Sequence, residues 1–425
     1  MERLAGIRST LDAHDRWRAS TLNLIASENV LSPAARSVLD SDLLHRYAEG
    51  HPGGRYYEGT QFVDHIESET EKVVRDLFGA GWADVRPISG TVANEAVFSR
   101  LVPHGAPVVA HTIAAGGHIS HARIGSLGKR TRQIHPWPTT PDGYTIDVPA
   151  ARDLIAREKP AVVVVGRSLI LFPEPVRELV DVCREHGTLM FYDGAHVLGL
   201  IAGGEFQRPL EEGADVLCGS THKTFFGPQR GVVLSRGVNG DLDASLDKGV
   251  FPGSSSNHHL FSLPALYVAA VEMQTFGSDY ARATIANARA LAEALARRGM
   301  HPALPDQGYT ASHQVALDVG DHGGGYDVGK RLCGQDIVCN MNLLPGEPSK
   351  NALRPRGVRL GVQEMTRFGM GPDEMDAIGD LLHAAITKAR DVRDEVHALR
   401  ERFSEVRYGF APSDLGLVRE PLPLE

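Results

Sequence analysis

Cysteine is scarce in this chain: Cys183, Cys218, Cys333 and Cys339 are the only four in 425 residues. None stands in C-x-x-C spacing, which fits neither a disulfide framework nor a cysteine-built zinc cage. Cys183 falls on the apolar face of an expected helix and reads as a small buried hydrophobe. Positive charge is short as well. With Lys and Arg totalling 44 against 53 Asp and Glu, the net charge is −9. No basic field exists to draw in nucleic acid or anionic lipid, so neither is an expected partner. No apolar run reaches membrane-spanning length. The opening MERLAGIRSTLDAHDRW carries charges every few residues and lacks the apolar core of a signal peptide, so a cytoplasmic location is expected. No G-x-G-x-x-G follows a strand to open a helix, which disfavours a nicotinamide-dependent Rossmann enzyme. Internal repeats and low-complexity tracts are absent too.

What is present is a long alternation. The length predicts two or three packed domains. From about residue 70 to residue 235, apolar runs alternate with amphipathic helices, the pattern of an α/β domain with a mainly parallel sheet. The runs at 106–112, 161–166, 188–193, 214–220 and 231–235 are continuously apolar, as strands covered on both faces should be. Between two of them, Val176, Leu179, Val180 and Cys183 form one helical stripe, punctuated by Pro175 and Gly187. After residue 262 the pattern turns helical, with Ile285, Ala288, Leu291, Ala292 and Leu295 on one face, and a later helix is expected around DEMDAIGDLLHAAI. The expected segmentation is an N-terminal arm (1–40), a large domain (41–279), a smaller C-terminal α/β domain (280–410) and an extended tail (411–425).

Three stretches carry chemistry. STHKTFFGPQRG follows a buried strand and places Lys223 at a sheet edge, where α/β proteins bind ligands and where a lysine can form a Schiff base with an aldehyde cofactor. Taken alone, a surface lysine is the plainer reading. In FYDGAHVLGL, Asp193 ends another strand and can hold a proton on the pyridine nitrogen of such a cofactor, although an aspartate there can also simply cap the next turn. Ser89, Gly90 and Thr91 open a helix, where free N–H groups cradle phosphate or accept an ordinary N-cap.

Together with LNLIASENV (22–30), RYAEGHPGGRYYEGTQFVDHIE (46–67), SGTVAN (89–94), GGHISH (116–121) and GVRLG (357–361), these segments resemble the serine hydroxymethyltransferase family. The resemblance implies the pyridoxal phosphate (PLP)-dependent transferase fold type I, which is aspartate aminotransferase-like. That fold has a large domain with a mainly parallel seven-stranded sheet and a smaller C-terminal α/β domain. It implies pyridoxal phosphate as cofactor, carried by Lys223, with Asp193 at the pyridine nitrogen and His118 stacked over the ring. Ser89, Gly90 and Thr91 are implied to hold the phosphate and Ser168 the phenolic side, with His196 and His222 lining the pocket. Arg359, assisted by Ser27, is implied to grip the substrate carboxylate, which suits the bidentate guanidinium. Tyr47, Glu49, Tyr56 and Tyr57 are implied to reach in from a neighbouring subunit, giving a homodimer with shared sites, or a tetramer of such dimers. Glu49 is the candidate base for the substrate β-hydroxyl, or else an interface hydrogen-bond acceptor.

The implied reaction is aldol-type cleavage and formation of the Cα–Cβ bond of β-hydroxy amino acids. Hydroxymethyl transfer between serine and glycine, with tetrahydrofolate as co-substrate, is the leading form. Several segments depart from that pattern: FPGSSSNHHLFSLPAL replaces a glycine-rich stretch, Gln229 and Arg230 displace the usual arginine, and SLILFPEPV and ARIGSLGKRTRQIHPWP are altered. With GVRLGVQEMTRFGM they look more like the threonine transaldolase branch, which joins glycine to other aldehydes without folate. A non-catalytic regulatory protein of the same fold would be expected to lack the lysine, aspartate or arginine, and all three are present. His118 and His121 are three apart and His258 adjoins His259, but no acidic or cysteine ligand completes a site at recognisable spacing, so no metal is expected.

Overall fold

The structure, a computed structural model, describes residues 2–416; residues 417–425 of the expected tail lie outside the described residues. The chain divides into two compact units. Among the described residues, one combines those up to Ala26 with Ala283–Arg407, and the other combines Ser27–Arg282 with residues 408–416.

The larger unit is built on a sheet of seven strands among the described residues. They are β1 (Trp82–Asp84), β2 (Val108–Ala110), β3 (Ile134–Pro136), β4 (Val162–Val165), β5 (Leu189–Asp193), β6 (Val216–Ser220) and β7 (Gly231–Ser235). Their spatial order is β1-β7-β6-β5-β4-β2-β3. β2 to β6 run parallel, and β7 is antiparallel to both β6 and β1. All five apolar runs in the sequence carry strands. The two additional strands, Trp-Ala-Asp and Ile-His-Pro, are three-residue edges whose mixed composition gives no strand signal.

β4 is four valines, every one buried, as a parallel strand covered on both faces requires. Val97 and Phe98 of the helix Gly90–Leu101 pack with Val164, Phe191, Val216 and Val233 to form the core. The helix Val176–Glu185 buries Val176, Leu179, Val182 and Cys183, and Gly187 beyond it adopts a left-handed φ of 67°. Val180, expected in that stripe, is only half-buried, while Val182 takes the core position; Val180 lies instead against Gly213.

The smaller unit holds an antiparallel sheet in the order His301–Pro302, Gln314–Asp318, Gly357–Gly361, Asn340–Asn342. Leu22 and Asn23 pair in parallel with Ile337 and Val338. Leu22 and Leu24 are buried with Leu291, Leu295, Leu317, Val358 and Ile378. Of the expected tail, Pro412–Leu415 forms a single 3-10 turn, and Leu415 packs on Ala34 and Ala35 in the larger unit.

β2, β4, β5 and β6 all end at one edge of the sheet, and the loops leaving that edge approach closely. Gly166, just after β4, has φ 88°, and a Cβ there would lie 2.2 Å from the Asp193 carbonyl oxygen. Gly166→Ala is therefore expected to cost at least about 1–3 kcal/mol of backbone strain. A urea unfolding midpoint equal to that of the parent would show that the two loops are free to separate.

Candidate active site

Asp193 ends β5, and Lys223, Ser168 and His118 lie on the segments that leave the same ends of β6, β4 and β2, so parallel strand direction brings all four to one edge. Lys223 is 8% exposed. Its turn is fixed by Thr224, whose hydroxyl donates to the His196 carbonyl (2.8 Å) and accepts from Gly199 N–H (3.0 Å). Asn29 donates to the Lys223 carbonyl at 2.8 Å. A Cβ on Gly199 would lie 2.1 Å from the Thr224 carbonyl oxygen, so the two turns meet backbone to backbone.

Asp193 is buried, and its Oδ2 accepts from Asn94 Nδ2 (2.7 Å) and His121 Nε2 (2.8 Å). Burial alone would raise this carboxyl. The hydrogen bond from His121 and the surrounding polar groups outweigh burial and hold it well below the usual carboxylate range. Oδ1 accepts from Ala195 N–H at 3.0 Å, so the turn-capping role and the charged-acceptor role are both filled by one side chain. Asn94 also donates to Ser120 Oγ (3.0 Å), which lies 2.7 Å from His118 Nδ1. Asn94 and His121 were not singled out for this task in the sequence. Asn94 stands one helical turn after Gly90, and that spacing was the available signal.

Ser89 is the N-cap of Gly90–Leu101, its hydroxyl accepting from Val92 N–H at 3.1 Å. Gly90 and Thr91 then occupy the first turn, where backbone N–H groups face outward. A Cβ on Gly90 would meet Ser220 Oγ at 2.2 Å, which sets the helix mouth directly against the end of β6. Ser168 N–H donates to the Gly116 carbonyl at 2.8 Å, tying its loop to the one that carries His118. His222 Nδ1 is buried without a hydrogen bond, and burial together with the charge of Lys223 takes the imidazole down to about 4.

Tyr47, Glu49, Tyr56 and Tyr57 gather on a separate hairpin, where Gly50–His51 pairs with Gly54–Arg55. Tyr57 donates to Glu49 Oε2 at 3.2 Å and meets the Tyr47 ring at 5.6 Å. Tyr56 is 75% exposed. Ser27 begins the larger unit and Arg359 lies in the strand Gly357–Gly361 of the smaller one. Arg359 is buried, and its Nε donates to Asn340 Oδ1 at 3.1 Å. Burial draws this guanidinium down to about 10, which leaves it charged at neutral pH.

His118, His121 and Asp193 bring ligand-type atoms within 4.8 Å of one another. Asp193 is thus the acidic neighbour that the spacing of the two histidines did not reveal, and its Oδ2 accepts hydrogen bonds from Asn94 and His121. The same residues fit pyridoxal phosphate. They offer an amine, a helix N-terminus opened by a glycine that cannot be larger, and a buried carboxylate held ionised at the same strand edge.

The family model for serine hydroxymethyltransferase matches residues 6–382. The chain belongs to the serine hydroxymethyltransferase family. It is 45% identical over 408 residues to a serine hydroxymethyltransferase of Methanothermobacter thermautotrophicus, covering 96% of each protein. It is 47% identical over 401 residues to that of Pyrobaculum arsenaticum, covering 93% of this chain and 92% of the relative. Among solved structures, L-threonine transaldolase from Pseudomonas fluorescens superposes with a TM-score of 0.88 at 28% identity, covering 97% of this chain and 94% of that one. As a member of the serine hydroxymethyltransferase family, the chain is a pyridoxal-phosphate enzyme of fold type I, as the motifs implied.

A second buried cluster at the same sheet edge has a pH signature. Arg167 donates to both oxygens of Glu174 (2.7 and 3.1 Å), and His111 Nε2 lies 3.4 Å from Glu174 Oε1. Burial and the charge of Arg167 push His111 from 6.5 down to about 4. The folded chain thus refuses a proton that the unfolded chain accepts. His111 contributes stability that is fully present above pH 6.5 and is lost as pH falls toward about 4. Urea midpoints between pH 6.5 and 5 should fall less steeply for His111→Gln than for the parent; equal slopes would contradict the assignment.

Proposed function

We propose that the chain catalyses serine–glycine hydroxymethyl transfer, with pyridoxal phosphate as cofactor and tetrahydrofolate as one-carbon acceptor, through reversible cleavage of the Cα–Cβ bond. The family match over residues 6–382 supports serine–glycine transfer, and the observation that carries its cofactor chemistry is the buried, ionised Asp193 at the same strand edge as Lys223. A carboxylate held in that state keeps a proton on a pyridine nitrogen. Bound there, pyridoxal phosphate supplies an electron sink conjugated with the substrate α-carbon.

The chain's own residues divide the remaining work. Lys223 would hold the cofactor aldehyde, and the first-turn N–H groups after Ser89, with Gly90 and Thr91, its phosphate. His118 would cover one ring face, Ser168 the phenolic oxygen, and His196 and His222 the walls. Neutral at pH 7, His222 adds no repulsion to the Lys223 amine. Arg359 and Ser27 would bind the substrate carboxylate, and a guanidinium that stays charged when buried suits that task. Glu49, oriented by Tyr57, would take the β-hydroxyl proton as the carbon–carbon bond breaks and return it in the reverse direction. The exposure of Tyr47 and Tyr56 supports their reaching into a second subunit, in a homodimer with shared sites. No helix among the described residues is long and apolar enough to cross a membrane. Four unpaired cysteines fit a cytoplasmic location.

The altered segments and the fold shared with L-threonine transaldolase favour a second reading, folate-independent transfer of glycine between aldehydes. The two readings separate in one assay. Conversion of serine to glycine should require tetrahydrofolate, whereas threonine exchanging its aldehyde for another without folate would establish the transaldolase reading. Lys223→Ala should abolish the visible absorbance of bound cofactor together with turnover, and an unchanged spectrum would sink the assignment of Lys223.

A further inference from the structure

Arg230 stands one place beyond the usual arginine of the family's loop, and its side chain is fully buried. Its backbone closes the Lys223 loop: Thr221 N–H donates to the Arg230 carbonyl at 3.0 Å, and Arg230 N–H donates to Thr221 Oγ1 at 3.1 Å. The guanidinium leaves in another direction. It donates to the carbonyls of Val85 (2.8 Å), His258 (2.6 Å) and His259 (3.0 Å), to Ser262 Oγ (2.9 Å), and approaches His258 Nδ1 at 3.0 Å. The fork is thereby saturated between Val85 and the segment 258–262, which lies within the stretch 251–266 that stands in place of the family's glycine-rich one.

The altered stretch in turn holds the hairpin. Asn257 accepts from Ala48 N–H (3.2 Å) and donates to the Arg46 carbonyl (3.1 Å), and Leu260 packs with Ala48 and Val63. His258 Nε2 lies 2.9 Å from Glu67 Oε2, which accepts from Arg55 at 2.8 Å. Arg55 also donates to the carbonyls of Ala48 (3.1 Å) and Gly50 (2.7 Å), on either side of Glu49. An unbroken buried path therefore runs from the turn that ends the Lys223 loop to the backbone that carries Glu49 and Tyr57.

We propose that Arg230 is a positioning residue for the reaction: by clamping the segment 258–262, it sets the hairpin that presents Glu49 and Tyr57. The departures at 229–230 and 251–266 are then one compensated change, an arginine displaced into the core together with the histidine-bearing segment that receives it. The catalytic consequence rests on the reading of Glu49 as the group that takes the β-hydroxyl proton; the structural part does not.

The test uses cofactor-loaded enzyme and two variants. Arg230→Lys keeps a charge but loses the fork, and Asn257→Ala removes the next contacts along the path, to Ala48 and Arg46, without touching the Lys223 loop or the arginine's buried site. Amide hydrogen exchange at Gly53 and Tyr56, which donate to Asp64 and to the Glu49 carbonyl, should rise about tenfold in both, with the helix Gly90–Leu101 unchanged. Cleavage of a β-hydroxy amino acid should fall about ten- to a hundredfold. Exchange of the glycine α-proton with solvent, which needs no base at the β-hydroxyl, should stay within about twofold of the parent. Unchanged hairpin exchange overturns the proposal, and so does a parallel loss of both activities when Glu49→Gln lowers cleavage alone. If Glu49→Gln lowers both activities equally, the reading of Glu49 has failed instead, and the hairpin exchange still decides the role of Arg230.

Discussion

Everything at the reactive edge depends on keeping one carboxylate ionised inside the protein. Asp193 ends the central strand β5, away from solvent, where an unpaired charge would cost several kcal/mol. Donors from three separate places offset that cost: Asn94 from the helix Gly90–Leu101, His121 from the loop after β2, and the Ala195 backbone. Each donor fixes the element that carries it. The helix must then bring its N-terminal mouth against Ser220, and the loop must bring His118 within reach of Ser120, so the surroundings of the carboxylate and the frame of the pocket are one arrangement.

Buried arginines obey the same rule by another route. Arg167 meets a carboxylate, whereas Arg230 meets carbonyl oxygens, a hydroxyl and an imidazole. Backbone carbonyls satisfy a guanidinium only where several chain segments converge, which makes such a side chain a fastener between segments rather than half of an ion pair. Burial draws Arg230 down to about 10, so it remains a cation at neutral pH, with Glu67 and Asp84 as the nearby compensating charges.

The two readings of the reaction share all of this machinery. Electron withdrawal, carboxylate binding and proton transfer at the β-oxygen are common to hydroxymethyl transfer and transaldol chemistry. What distinguishes them is the acceptor of the departing carbon, and the segments that depart from the hydroxymethyltransferase pattern leave Lys223, Asp193 and Arg359 in place. This is why family membership follows from the motifs while the acceptor is left to the assay.

Much of the fold was legible because its signals are local. Valine runs, a helical stripe beginning at Pro175 and a lysine just past a strand are each set by a few adjacent residues. Parallel strand direction then carries Lys223, Asp193, Ser168 and His118 to one edge without further information. Edge strands of three residues, and the pairing of Leu22–Asn23 with Ile337–Val338, carry no such signal, because their stability comes from partners remote in sequence. For the same reason His121 read only as a possible metal ligand, and His258 only as one of two adjacent histidines. By itself, then, the sequence determined the element types, the order of the strands' chemistry and the family. Only the tertiary structure decided which polar groups are buried together, because the cost of removing charge from water is met by donors and acceptors that meet in space and not along the chain.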